Sequence, residues 1–249
     1  MAAWRRSGTT ARPSRFISSS CQRTTSVSRS RRSNFCSRAF RRRSAAVASP
    51  ILTLVWSIIS ERHIFHALRS VLKPQNRWGD FRVGSRPAAV ALLLYERGGE
   101  LCVPFVLRRP DLPDHPGQVA LPGGTVKPGE DAWAAAAREV EEEIGVPAAE
   151  LEPIGAGNAL YTAVTNFCVV PFVAWLKTPD AIFNHDPGEL VGILEVPLER
   201  LLDRGAWVVG PQEWMGELFE WEGSTIWGLT GRLLADLLPR FREALALAG

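Results

Sequence analysis

The sequence predicts an α/β protein, specifically an α/β/α sandwich around a mixed sheet. Three observations carry this expectation. Strand-length apolar runs fill the middle of the chain, and the helical patterns are few, late and separated, which disfavours a doubly wound parallel sheet. Two of those runs flank a Gly-Gly pair, the signature of a hairpin. A single helical segment between them and the later strands is bracketed by an aspartate and a glycine, a start and a stop signal.

The elements follow in order. Residues 51–75 are expected to form an N-terminal helix: the apolar run Ile51–Ile59 is too short for a bilayer, which needs about 20 residues, and the pattern continues through Glu61–Leu72 with Ile64, Phe65, Leu68 and Val71 on one face until Pro74 ends it. The folded domain is expected over 76–249. In it, Ala88–Tyr95 is a buried strand, Glu96–Glu100 a turn and Leu101–Leu107 the returning strand. Arg108–Pro122, with four prolines, is a loop. After Gly123-Gly124 a short strand or turn runs to Gly129, and a helix covers Asp131–Ile144 with Gly145 as its stop. Further strands are expected at Leu151–Leu160, Asn166–Leu176 and Glu189–Val196, then a short helix at Leu198–Asp203. A last amphipathic helix is expected over Ile226–Leu247, with Leu229, Leu233, Leu237 and Phe241 on one face.

Charge divides the chain. Residues 1–50 hold 12 Arg and no acid, whereas residues 51–249 carry 17 basic and 26 acidic groups, a net of −9. An acidic body argues against a nucleic-acid surface as the main function. The Arg- and Ser-rich head has no period and is expected to be disordered. It has three readings: a mitochondrial transit peptide, a misassigned start (Arg outnumbers Lys 26 to 3, as a GC-rich reading frame would give), or a basic tail. The body is expected in the cytoplasm, or in the mitochondrial matrix if the head is a transit peptide. Four cysteines without CxxC spacing give neither a disulfide framework nor a zinc site, and Cys102 and Cys168 read as small core residues. No phosphate-binding GxxxxGK[ST] loop and no GxGxxG is present, and no transmembrane segment is expected.

The chemistry concentrates in residues 124–146. Glu139, Glu142 and Glu143 stand at i, i+3 and i+4 and share one helix face. Three carboxylates there repel one another unless hard divalent cations sit among them, and oxygen ligands suit Mg²⁺ or Mn²⁺. The small Ala134–Ala137 let the helix lie close to a sheet. A solvated acidic face would explain the glutamates alone; it does not explain Gly123-Gly124, Glu130, Arg138 and Gly145 together with them.

At this point the sequence resembles the Nudix hydrolase superfamily, whose box is written G-x5-E-x7-R-E-U-x-E-E-x-G-U with U a bulky aliphatic residue. Gly124, Glu130, Arg138, Glu139, Val140, Glu142, Glu143, Gly145 and Val146 fill every constrained position. The resemblance implies a Nudix-type sandwich with a strand–loop–helix–loop catalytic motif. It implies Glu139, Glu142, Glu143 and the Gly123 carbonyl as ligands of Mg²⁺ or Mn²⁺. Arg138 and Glu130 would then pair to orient those glutamates, and Glu141 would face solvent. The reaction implied is attack of water on a diphosphate phosphorus. A carboxylate would be the base, either in the box or outside it at Glu189.

The flanks narrow the substrate. Arg109, His115-x-Gly117-Gln118 and Pro122-Gly123-Gly124 resemble the segment that precedes the box in coenzyme A diphosphatases of this superfamily. Trp227-Gly228-Leu229-Thr230 resembles their W-G-x-T segment, and Thr165-Asn166-Phe167 with Val170-Pro171-Phe172-Val173 their central strand. The family often has Asp where this chain has Lys127 and Thr where it has Leu107. The resemblance implies substrate contacts at Arg109, His115, Gln118, Gly123 and Gly124. It implies a small nucleotide substrate such as coenzyme A or its acyl esters, no nucleic-acid partner, and compatibility with a homodimer. The enzymatic alternative is another nucleoside diphosphate derivative, ADP-ribose or NADH; the alternative of a different class is a catalytically silent ligand-binding module. Trp227 is expected in the core or at an interface. Trp207, Trp214 and Trp221 are expected at the substrate mouth or a dimer contact.

Overall fold

The computed structural model describes residues 61–113 and 115–248. The expectations for the head 1–50, its cysteines and the run Ile51–Ile59 lie outside them. No helix among the described residues is long and apolar enough to cross a membrane.

Helix α1 (Glu61–Val71) buries Ile64, Phe65 and Leu68 as its periodicity requires, with Val71 half-buried. Strands β1 (Arg86–Arg97) and β2 (Glu100–Arg108) form the expected hairpin, longer at both ends. Its two-residue turn places Gly98 and Gly99 at φ of 58° and 83°, a conformation that other residues adopt at a cost. The loop 108–122 is not wholly irregular: β3 (Val119–Ala120) pairs with β2. Then come β4 (Gly123–Thr125), helix α2 (Ala132–Ile144), β5 (Leu151–Ala156), β6 (Leu160–Thr162) and β7 (Phe167–Leu176). The expected single strand 151–160 is broken at Gly157, where a Cβ would come within 2.7 Å of Leu237. Strand β8 (Leu190–Pro197) and helix α3 (Leu198–Leu202) match expectation within a residue.

The C-terminal part differs more. A second, three-stranded sheet of β9 (Trp207–Val209), β10 (Glu217–Trp221) and β11 (Ser224–Ile226) precedes α4 (Gly228–Ala248). Ile226 therefore ends a strand and does not begin the helix. Strands of three to five residues show too little alternation to be recognised from sequence. The helix face is as expected for Leu233, Leu237 and Phe241, each at most 2% exposed.

The main sheet runs β3-β2-β1-β7-β5, with β8 also on β2, β4 on β1 and β6 on β7. It is mixed, since β1 and β7 are parallel and the remaining pairs antiparallel. Both faces are covered, which is why β1 reads as continuous apolar sequence. Leu92, Leu94, Val103, Phe105, Val173 and Trp175 pack toward α1, α3 and α4. Ala91, Leu93, Tyr95, Cys102, Val106 and Phe172 pack toward α2. Two helical layers around one sheet are the α/β/α sandwich.

One detail of pairing places the site. Strands β1 and β2 are bonded only beside their turn, from Tyr95↔Cys102 to Arg97↔Glu100. Farther on they part: β2 takes β3 (Val106↔Ala120, Leu107↔Val119) and β1 takes β4 (Ala88↔Thr125 to Val90↔Gly123). Residues 119–125 thus fill a split in the sheet and lead straight into α2.

Candidate active site

Helix α2 is fixed at both ends by the residues that the sequence marks. The Asp131 carboxylate accepts from the Ala134 N–H at 2.8 Å. Gly145 adopts φ 72° and donates to the Glu141 carbonyl at 3.1 Å, a left-handed C-cap. A Cβ on Gly145 would also meet the Asn184 carbonyl at 2.9 Å. Between the caps, Ala135, Ala136 and Ala137 are buried against the sheet while Ala134 faces out. The acids therefore emerge at the helix's C-terminal half, and Glu141 is exposed.

Both glycines of the Gly123-Gly124 pair are required by close approach. A Cβ on Gly123 would lie 2.4 Å from the Ala89 carbonyl. On Gly124 it would lie 2.6 Å from the Glu139 carboxyl carbon. The Glu139 carboxylate rests on the bare backbone of β4. The Gly123 N–H donates to Glu143 Oε2 at 3.0 Å, so the strand also holds the second acid. Glu143 is 7% exposed. Burial pushes its carboxyl up to about 7; the Gly123 N–H opposes this, the charges of Glu139 and Glu189 add to it, and Arg108 opposes it.

Arg138 holds the remaining acids. Its Nε and Nη2 donate to the two Glu130 oxygens at 2.8 and 3.1 Å, a bidentate pair. Its Nη1 donates to Glu139 Oε1 at 2.7 Å and Glu142 Oε2 at 2.9 Å, and Nη2 also reaches the Thr125 carbonyl. The Arg138 hydrogen bonds hold Glu130 below the usual carboxylate range, and Glu130 in turn raises Arg138. Lys127 lies 3.7 Å from Glu142 Oε1, so the position that departs from the family pattern puts a second cation on that carboxylate.

Among the described residues no three acidic, His or Cys side chains already converge as a metal cage. The donor chemistry nevertheless fits a hard divalent cation. One guanidinium nitrogen already bridges Glu139 and Glu142 as a stand-in cation. Glu143, raised toward neutrality by burial and two neighbouring acids, would gain a charge partner.

The loop candidates are arranged differently. His115 (φ 53°) and Gln118 come together, Nδ1 to Oε1 at 3.2 Å, on the surface. Arg109 grips Asp111 through Nε and Nη2 at 2.8 and 2.6 Å and donates from Nη1 to the Pro187 carbonyl. Its fork reaches a phosphate only by leaving Asp111. Glu189 is exposed and stands 4.0 Å from Arg108 Nη1. Arg108, at the start of the expected loop, is the arginine whose field acts on Glu143. Thr230 of the W-G-x-T segment is buried and donates to the Val119 carbonyl at 3.1 Å, joining α4 to β3. No local pattern signals that contact, because 111 positions separate the two residues.

Two tryptophans, Trp207 and Trp221, depart from expectation. Both are half-buried against the core, flank the buried Phe219 and donate to the Leu201 and Glu195 carbonyls. Trp227 is half-buried against the exposed Trp214, ring centroids 5.6 Å apart.

Residues 84–215 match the NUDIX domain. The Uncharacterized Nudix hydrolase NudL of Yersinia enterocolitica is 33% identical over 171 residues, covering 64% of this chain and 83% of that protein. Nudix hydrolase 15, mitochondrial, of Arabidopsis thaliana is 32% identical over 172 residues, covering 61% of this chain and 58% of that protein. A solved Nudix hydrolase of M. smegmatis, RenU, aligns with a TM-score of 0.44 at 20% identity, over 72% of this chain and 95% of that one. With a full box on a helix that presents its acids beside Gly123-Gly124, with residues 84–215 matching the NUDIX domain and with the NudL relative, the chain belongs to the Nudix hydrolases, metal-dependent enzymes that cleave phosphoanhydrides in small nucleoside diphosphate derivatives.

Proposed function

We propose that this hydrolase cleaves the diphosphate of coenzyme A or acyl-coenzyme A, giving 3′-phosphoadenosine 5′-phosphate and 4′-phosphopantetheine. The observation that carries the reading is the Thr230–Val119 hydrogen bond. It joins the two segments that resemble coenzyme A diphosphatases outside the box, and it does so four residues before Gly123, the glycine bonded to Glu143.

In this reading Glu139, Glu142, Glu143 and the Gly123 carbonyl hold Mg²⁺ or Mn²⁺. When bound, the cation neutralises phosphate oxygens and lowers the pKa of the attacking water. Glu130 and Arg138 keep the three acids on one face. The water oxygen bonds to one phosphorus, and the bridging oxygen leaves with its electron pair on the other phosphate. A carboxylate of the box or Glu189 takes the proton. Gly123 and Gly124 offer bare backbone to the substrate. His115 and Gln118 contact it from the loop. A homodimer, and a mitochondrial address as the alternative to a cytoplasmic one, belong to the same reading; light scattering and a fluorescent fusion test them.

The decisive assay incubates the full chain with Mg²⁺ or Mn²⁺ and coenzyme A, ADP-ribose, NADH or diadenosine polyphosphates, with products resolved by chromatography. Conversion of coenzyme A to the two named phosphates supports the reading. Cleavage of another member without coenzyme A replaces it.

A further inference from the structure

We infer that Arg108, and not its neighbour Arg109, is the guanidinium that receives the substrate's diphosphate. This rests on the box being the hydrolytic centre, but not on which nucleotide is cleaved.

Adjacent residues on a strand face opposite sides. On β2, Cys102 and Val106 pack on the α2 face; the register with β8 shifts between Leu107 and Arg108, and the charge of Arg108 acting on Glu143 keeps Arg108 on that face, whereas Arg109 lies beyond the strand. The main chain around Arg108 is fixed on two sides. Its N–H donates to the Gln118 carbonyl at 3.0 Å, and it stands opposite Leu190 of β8. The neighbouring cations are committed. Arg138 donates to Glu130, Glu139, Glu142 and the Thr125 carbonyl; Arg109 donates to Asp111 and the Pro187 carbonyl. Among the described residues the Arg108 guanidinium has no hydrogen-bond partner. Its Nε is buried without a partner, and its nearest acid, Glu189, is 4.0 Å from Nη1.

A buried guanidinium N–H without an acceptor is costly. Here it stands on the face where Glu143 is held by Gly123, the face on which the scissile diphosphate must lie. A phosphate oxygen is the acceptor that a planar two-nitrogen fork fits best. Arg108 is thereby assigned to one phosphate of the diphosphate, balancing charge that the carboxylates alone would repel.

The test uses the full chain with Mg²⁺, comparing wild type, Arg108→Gln, Arg108→Lys and Arg109→Gln. Calorimetry follows binding of imidodiphosphate, and steady-state kinetics follow whichever nucleotide of the panel the wild type cleaves. Arg108→Gln is expected to weaken imidodiphosphate binding and raise KM by about 30-fold, the loss of a charge-assisted bond. Arg109→Gln is expected to change both by less than about threefold, as an exposed charge does. Mn²⁺ affinity, read by electron paramagnetic resonance, stays unchanged in Arg108→Gln. Wild-type binding of imidodiphosphate by Arg108→Gln overturns the assignment. So does a larger loss in Arg109→Gln, or a parallel loss of Mn²⁺, which would make Arg108 a positioning residue for Glu143. Should Arg108→Gln fail to fold, Arg108→Lys decides: the assignment needs weakening of about tenfold, because lysine keeps the charge and loses the fork. Cleavage of ADP-ribose but not coenzyme A would end the coenzyme A reading and leave the Arg108 comparison intact on ADP-ribose.

Discussion

Two arginine–glutamate clusters sit toward opposite ends of β1 and β2, and their charge balance differs. Near the hairpin turn, Arg97 Nη2 donates to Glu195 at 2.9 Å and to the Ala181 carbonyl at 2.8 Å, while the Tyr95 hydroxyl donates to the same carboxylate. One base meets one acid, and a buried phenol supplies the remaining donor. Burial, and then the bond to Glu195, push the Tyr95 hydroxyl well above the usual phenol range, so it stays a donor at every physiological pH. Where the strands part, Arg138 and Lys127 face Glu130, Glu139, Glu142 and the buried Glu143. With Arg108 and Glu189 also acting on Glu143, three cations against five acids leave negative charge in a partly buried place. Satisfied, neutral networks hold a fold; a surplus of carboxylates on rigid elements is maintained where a further cation completes it.

The sharpest break between the clusters is the response to losing one carboxylate. Glu142→Gln is expected to lower kcat by about 10³-fold or more with little change in Tm, because that side chain is half exposed and its role is charge. A variant retaining full activity in Mg²⁺ would remove Glu142 from the metal set. Arg138→Gln is expected to cost about 10- to 100-fold in Mn²⁺ affinity or kcat/KM, since it orients acids without touching the phosphate. Tighter metal binding in that variant would instead mean that its Nη1 competes with the cation for Glu139 and Glu142.

At the balanced end the expected effects are smaller and fall on stability. Tyr95→Phe removes one hydrogen bond from a carboxylate still held by Arg97, so it should cost about 1 kcal/mol in denaturant unfolding with kcat unchanged. A third network, Asp236 with Asn158 and Arg240, gives the mildest signature. Burial acts to raise the Asp236 carboxyl, but hydrogen bonds from the Asn158 backbone and side chain and from Arg240 outweigh it and hold the group below its usual value. A depressed carboxylate stabilises the fold above its unfolded pKa, and that contribution disappears as pH falls through the folded value. The Tm gap between wild type and Asp236→Asn should therefore be present at pH 7 and shrink below about pH 4. A gap independent of pH would assign the loss to packing.

Features that are local or periodic were legible along the chain. The Gly98-Gly99 turn, the Asp131 and Gly145 caps, the alanine stripe of α2 and the spacing of Glu139, Glu142 and Glu143 are all set within a few residues, where backbone sterics and helix geometry suffice. The two-sided burial of β1 was legible as unbroken apolar sequence. Only the tertiary structure decided what distant segments do to one another. It decided that β1 and β2 part to admit residues 119–125, and that 151–160 breaks at Gly157. It formed a second sheet from strands too short to carry a period and bonded Thr230 to Val119. The sequence favoured Arg109, which matches a family pattern, over Arg108. The charge of Arg108 acting on Glu143 and the Asp111 clamp on Arg109 reverse that order, because a guanidinium's availability depends on which acceptors the fold brings to it, and those acceptors are not written beside it in the chain.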